Sequence, residues 1–235
     1  MVDVRKKVEE ITPEITQMRV HIHENPELSM KEYNTCALLE DYVKKNVKYD
    51  RLKRVGETGL FFELKGTKPG NGPTIVFRGD IDALPIQEDE HMSPRSKVPG
   101  VMHACGHDVH GTINVGAAKI LSEMKDQFSG SIYFFIQPAE EILQGAKLFL
   151  NDPEIDFDKI DAVAALHVSA ELDAGTIGVR YGAILASADG IRIRINGKGG
   201  HGAHCHTLRD PIVASAAVIN ALQTLVSRET NPANA

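Results

Sequence analysis

Cysteine is scarce in this chain of 235 residues: only Cys36, Cys105 and Cys205 occur. An odd number at wide spacing does not make a disulfide framework, so the thiols are read as free and available to a metal. Long apolar runs are missing too. No stretch of about 18 apolar residues could span a bilayer, and the N-terminal MVDVRKKVEEITPEI lacks the apolar core of a signal peptide. Basic blocks are absent: the formal charge of −6 comes from interspersed acids and bases, which argues against nucleic acid as a partner. There is no internal repeat and no low-complexity segment. What is left is a globular protein, expected in the cytoplasm, whose 42% hydrophobic content supports a real core.

Apolar residues recur at helical spacing from Val4 to Glu24 and from Met30 to Lys45, with Pro26 as the break between two helices. Two β-rich runs follow, Gly59 to Gly66 and Pro73 to Asp80, the second a continuous apolar strand that ends in charge. Thr112 to Phe128 reads as a helix, Ser131 to Gln137 as a strand, Ala146 to Leu150 as a short helix and Ala162 to Val168 as a further buried strand. Alternation of this kind predicts an α/β fold with a mixed, mostly parallel central sheet flanked by helices, its ligands collecting at the carboxyl ends of the strands. Near Ala183 the pattern changes. SADGIRIRINGKGG alternates as a half-exposed strand would, and Asp210 to Arg228 forms an amphipathic helix. Residues 1–182 are therefore expected to form one domain and 183–235 the start of a smaller α+β domain. One or two strands and a helix cannot close a sheet, so the chain reads as C-terminally truncated.

Four segments, each at or just beyond a strand end, carry groups able to meet in space: FRGDIDALP with Asp80 and Asp82, HACGHDVH with Cys105 and His107, QPAEE with Glu140 and Glu141, and ALHV with His167. Thiolate, imidazole and carboxylate together suit a borderline-soft divalent ion such as zinc, and manganese, cobalt or nickel also fit. The carboxylates outnumber what one ion needs, which points to two ions, or to one ion and a free base. Glu140 and Glu141 are adjacent, so their side chains diverge. One can hold metal while the other faces the attacking water. Each residue alone has a plainer reading: a Glu-Glu pair as a solvated helix start, Cys105 as a small buried hydrophobe, His167 as a core histidine. Together the four segments favour a site. His110, three residues after His107, suits an outer hydrogen-bonding role as well as ligation.

These segments, with HIHENPELSMKEYNT (His21 to Thr35), GTIGVRYG and GKGGHGAH, resemble in content and order the metallo-amidohydrolases that include aminoacylase, hippurate hydrolase and indole-acetyl-amino-acid hydrolase. The resemblance implies a zinc-peptidase-like catalytic domain with a smaller lid domain that mediates dimerisation. It implies that Cys105, His107, Glu141 and His167 ligate two divalent metal ions, with Glu140 as general base and Asp82 orienting a ligand. By the same likeness His201, in the GGHGAH segment, reaches a partner subunit's site and stabilises the oxyanion. The implied reaction is hydrolysis of the amide of an N-acyl amino acid. A dipeptide or a C-terminal peptide bond would use the same site. Two departures stand out: ILQGAK follows Glu141 where relatives carry a Gly-rich turn, and Cys205 stands where they commonly carry proline. Relatives also continue for well over a hundred residues to another metal-binding histidine, so a second reading is a non-catalytic metal-binding or interaction fragment.

Overall fold

The computed structural model describes residues 3–184 and 190–230, arranged as two compact units, Met1–Gly175 and Thr176–Ala235. In the first unit α1 (Val4–Glu24) and α2 (Tyr33–Asn46) precede β1 (Arg51–Val55), β2 (Gly59–Lys65) and β3 (Thr74–Asp80). Then come α3 (His107–Ser122), β4 (Ser131–Gln137), α4 (Gly145–Leu150) and β5 (Ala162–Ala165). The five strands form one sheet in the order β1-β2-β4-β3-β5.

The expected α/β fold with a helix-flanked mixed sheet is present. Its pairings divide evenly, rather than running mostly parallel. β3 pairs parallel with β4 and β5, whereas β1 and β2 form a hairpin that joins antiparallel to β4. β1 had no signal in the sequence because RLKRV places charge on a strand that is only partly covered. Successive residues of β2 and β4 face opposite sides, and each side has its own core. Phe62 and Phe134 stack at 4.7 Å in the layer that meets α1, α2 and α3, with Leu39, Val43, Leu60 and Val115 around them. On the other face Phe61, Tyr133 and Phe135 pack with Phe149 of α4. Burying one such ring contributes about 2 to 3 kcal/mol, so the two layers fix the sheet between its helices.

Several boundaries differ from the sequence reading. α2 begins at Tyr33, because Met30 takes φ 65° and the chain turns before the helix starts. α3 begins at His107 rather than Thr112 and ends at Ser122, with a 3-10 turn at Lys125–Gln127. The strand expected over Ala162 to Val168 stops at Ala165, and its residues are exposed rather than buried. β5 pairs with β3 on one side only and has no second strand neighbour among the described residues.

In the second unit, Ser187, Ala188 and Asp189 of the expected strand lie outside the described residues. Gly190 to Gly200 form no strand beyond a single bridge between Lys198 and Arg209, since alternation alone makes no ladder without a partner. The expected helix is α5 (Pro211–Thr224), started by Asp210, whose carboxylate accepts from the Ile212 amide at 2.8 Å. A π-turn, Leu225–Glu229, follows. α5 has an apolar composition, and none of its described residues is buried. No helix among the described residues is long and apolar enough to cross a membrane.

Candidate metal centre

The site lies at the carboxyl ends of the three parallel strands. Asp80 is the last residue of β3 and Asp82 lies two residues on; β4 ends at Gln137, just before Glu140 and Glu141; β5 ends at Ala165, just before His167. Cys105 and His107 come from the start of α3. Gly106 makes that start possible. Its φ of 83° lies in the left-handed region, and a Cβ there would come within 2.2 Å of Val168 Cγ2.

Tautomers follow from the hydrogen bonds. His167 Nδ1 lies 2.7 Å from the Val168 carbonyl, which only accepts, so Nδ1 carries the proton and the Nε2 lone pair faces Cys105 Sγ at 3.4 Å. His107 Nδ1 donates in the same way to Asp82 Oδ1 at 3.1 Å. His107 Nε2 is left buried without a hydrogen-bond partner, 3.9 Å from Glu141 Oε1, 4.0 Å from Glu140 Oε2 and 3.7 Å from Asp80 Oδ2. Glu141 Oε1 is also buried and unpartnered. A buried acceptor without a donor is costly, and two that face each other call for a cation between them.

Ligand atoms of Cys105, His107 and His167 lie within 4.8 Å of one another, as do those of His107, Glu140 and Glu141. Two neighbouring donor groups thus share His107. A third such grouping, Asp80 with His107 and His110, is of another kind. His110 Nδ1 donates to Asp80 Oδ1 at 2.6 Å and its Nε2 accepts from the Val168 amide at 3.0 Å, so no lone pair is left for metal. The outer role considered for His110 is the one its geometry allows. Asp80 also pairs with Arg78 at 2.6 Å.

The electrostatics match a site built for positive charge. Burial, and then the Glu141 carboxylate, push the Cys105 thiol up to about 11. Burial also raises Glu141, with Glu140 and Asp82 adding to the effect against His107. For His107 burial acts downward, but Asp82 and Asp80 outweigh it and hold the imidazole pKa above its ordinary value. A glutamate, a thiol and a histidine all shifted upward are the response of anionic donors crowded together. Asp80 and Asp82 are the exceptions, and Asp82 shows why. Burial opposes its ionisation, yet His107, Ser29 and the amides of Glu141 and Glu140 keep its carboxyl below the usual range.

Of the residues singled out in the sequence, Cys105, His107, Glu140, Glu141, His167 and Asp82 are brought together. His201 belongs to the second unit, where it starts a 3-10 turn, Gly202–Thr207, and its Nδ1 accepts from the Ala203 amide at 3.2 Å. Sequence reasoning missed Ser29, Glu32 and His23. Glu32 contacts the carboxylate turn directly and Ser29 reaches it through Asp82. His23 binds Asp108 at 2.8 Å and Glu88 at 2.9 Å, tying the end of α1 to the first turn of α3. Their motif, HENPELSMKE, was visible, but no spacing within it announced these distant partners.

A mixed sheet whose parallel strands lead into histidine and carboxylate groups, with a thiol beside them at the start of α3, defines an α/β protein of zinc-peptidase-like fold. The chain belongs to peptidase family M20/M25/M40, whose model matches residues 76–234. It is 41% identical over 218 residues to the N-acetyl-L-cysteine deacetylase of Bacillus subtilis, covering 92% of this chain and 50% of that one. To the N-acyl-L-amino acid amidohydrolase of Geobacillus stearothermophilus it is 38% identical over 230 residues, 98% of this chain and 61% of that one. Among solved structures, the Bacillus subtilis YXEP protein, described as a dinuclear metal binding peptidase from the M20 family, matches with a TM-score of 0.67 and 36% identity. That match covers 73% of this chain and 47% of that chain. The chain thus spans half to about three fifths of the length of these two curated relatives.

Proposed function

We propose that the chain carries the metal centre and general base of an amidohydrolase acting on N-acyl amino acids. The observation behind this reading is the pair of buried, unpartnered acceptors, His107 Nε2 and Glu141 Oε1, set beside the Cys105 and His167 donors. Cys105, His107, Glu141 and His167 would hold two divalent ions, zinc, manganese, cobalt or nickel. Such ions supply positive charge that polarises an amide carbonyl and makes water more acidic.

The chain's own residues do the rest. Asp82 fixes the proton of His107 on Nδ1, which keeps Nε2 free as a donor. Glu140, more open than Glu141, takes the proton of the attacking water and hands it to the leaving amine. His201 of a second copy, in a homodimer formed through residues 183–235, would donate a hydrogen bond to the developing oxyanion. The substrates are small N-acyl amino acids. Dipeptides are the second class, favoured by the likeness to a structure described as a peptidase.

The test is hydrolysis of N-acetyl and N-benzoyl amino acids, beside dipeptides, with zinc or manganese supplied. We expect Glu140→Gln to lower turnover by about 100-fold or more while metal binding persists. Equal turnover in the variant would remove Glu140 from the base role. No turnover in either protein, with metal bound, would favour the fragment as a binding module.

A further inference from the structure

The turn that carries Glu140 and Glu141 is an unusual piece of backbone. Ala139 has φ 49° and Leu143 φ 56°, both in the left-handed region that side-chain-bearing residues avoid. The turn closes with the Gly145 and Gln144 amides donating to the Ala139 carbonyl, and a Cβ on Gly145 would fall 1.5 Å from the Pro138 carbonyl oxygen. Something outside the turn must hold it in this form.

The holder comes from more than a hundred residues earlier in the chain. Glu32 is fully buried, and although it is the residue before α2 its side chain does not cap that helix. Instead, Oε1 accepts from the Ala139 amide at 2.8 Å and from the Met30 amide at 3.0 Å. Three residues before Glu32, Ser29 Oγ donates to Asp82 Oδ2 at 2.6 Å. Asp82 in turn accepts from the Glu140 amide at 3.0 Å and the Glu141 amide at 3.1 Å. The segment is fastened alongside by the Leu28–Ala83 bridge, with the Ala83 amide donating to the Glu27 carbonyl at 2.8 Å. Residues 27–32 therefore grip three successive amides of the carboxylate turn, one directly and two through Asp82.

We propose that Glu32 is a positioning residue for Glu140 and Glu141, its carboxylate pinning the Ala139 amide so that the left-handed turn aims one glutamate at the ion and leaves the other free. This rests on the reading of Glu141 as a ligand and Glu140 as the base. It also gives HENPELSMKE a role: Ser29 and Glu32 of the motif buttress the carboxylate turn.

The experiment follows hydrogen–deuterium exchange across residues 138–145 and titrates the chain with zinc alone. Glu32→Ala should speed exchange in that segment and weaken zinc binding by about tenfold. Glu32→Gln, which keeps the Oε1 acceptor, should stay within about threefold of the parent. Glu27→Ala, which loosens the first turn of α2 by freeing the Asn34 and Thr35 amides, should leave zinc binding unchanged. If Glu32→Ala does not fold, Ser29→Ala removes the other arm without emptying a large buried volume and is read the same way. Unchanged exchange across 138–145 overturns the clamp whatever zinc does. Faster exchange with unchanged zinc affinity overturns the positioning role. If Glu141→Ala is equally without effect on zinc, the failure lies in the ligand reading beneath it. A Gln variant as impaired as Ala would show that the Ala139 hydrogen bond is not what matters.

Discussion

Asp82 takes four hydrogen bonds, from His107 Nδ1, Ser29 Oγ and the amides of Glu140 and Glu141. Truncation to alanine would free the His107 tautomer and both glutamate amides at once. Asp82→Ala is therefore expected to lose about 10- to 100-fold in metal affinity, read by zinc titration. Asp82→Asn should also be impaired, because its amide nitrogen cannot accept from Ser29 or a backbone N–H. Affinity equal to the parent in both variants would contradict this role. At this scale the candidate donors were legible as a set: Cys105, His107 and His167 bring thiol and imidazole, scarce side chains, and Glu141 stood out only through its place beside Glu140 directly after an apolar strand. Ser29 and Glu32 were not. They act through hydrogen bonds to residues far away in sequence, and serine and glutamate in a turn carry no chemical signature of their own.

Among the elements, α3 does most to place the site, and its first turn depends on Gly106. Gly106→Ala would force a side chain into the left-handed region and against Val168, so we expect a loss of about 2 kcal/mol or more by urea denaturation, with weaker metal binding. The same turn is tied to α1 by His23. Asp108 is the main cause of a raised His23 pKa; burial opposes it, and Glu88 adds to the rise. A histidine whose folded pKa lies above its ordinary 6.5 contributes stability that is complete below that value and lost as pH rises through the folded value. The stability gap between the parent and His23→Gln should therefore shrink on going from about pH 6 to pH 9. A gap that widens instead would contradict the pairing. The long helices and the strands Gly59–Lys65, Thr74–Asp80 and Ser131–Gln137 were readable because periodicity and apolar runs reflect burial directly. The start of α3 was hidden, since His107, Asp108 and His110 are buried polar residues that look like a loop when their partners are unseen.

For the whole molecule, the alternation of helical and strand patterns was enough to indicate an α/β protein, and strand ends located the candidate centre. The sheet's antiparallel half was less legible because RLKRV reads as a charged linker. Pairing partners, not its own residues, make it a strand. The molecule's central claim is that one centre at the tips of β3, β4 and β5 takes divalent metal through Cys105, His107, Glu141 and His167 while Glu140 stays free as the base. Its most direct test is a zinc and manganese titration of the parent beside Cys105→Ala, His107→Ala and Glu140→Gln. The account predicts binding that falls by about tenfold or more in the first two variants and persists in the third. Metal binding indifferent to Cys105 and His107 would contradict it.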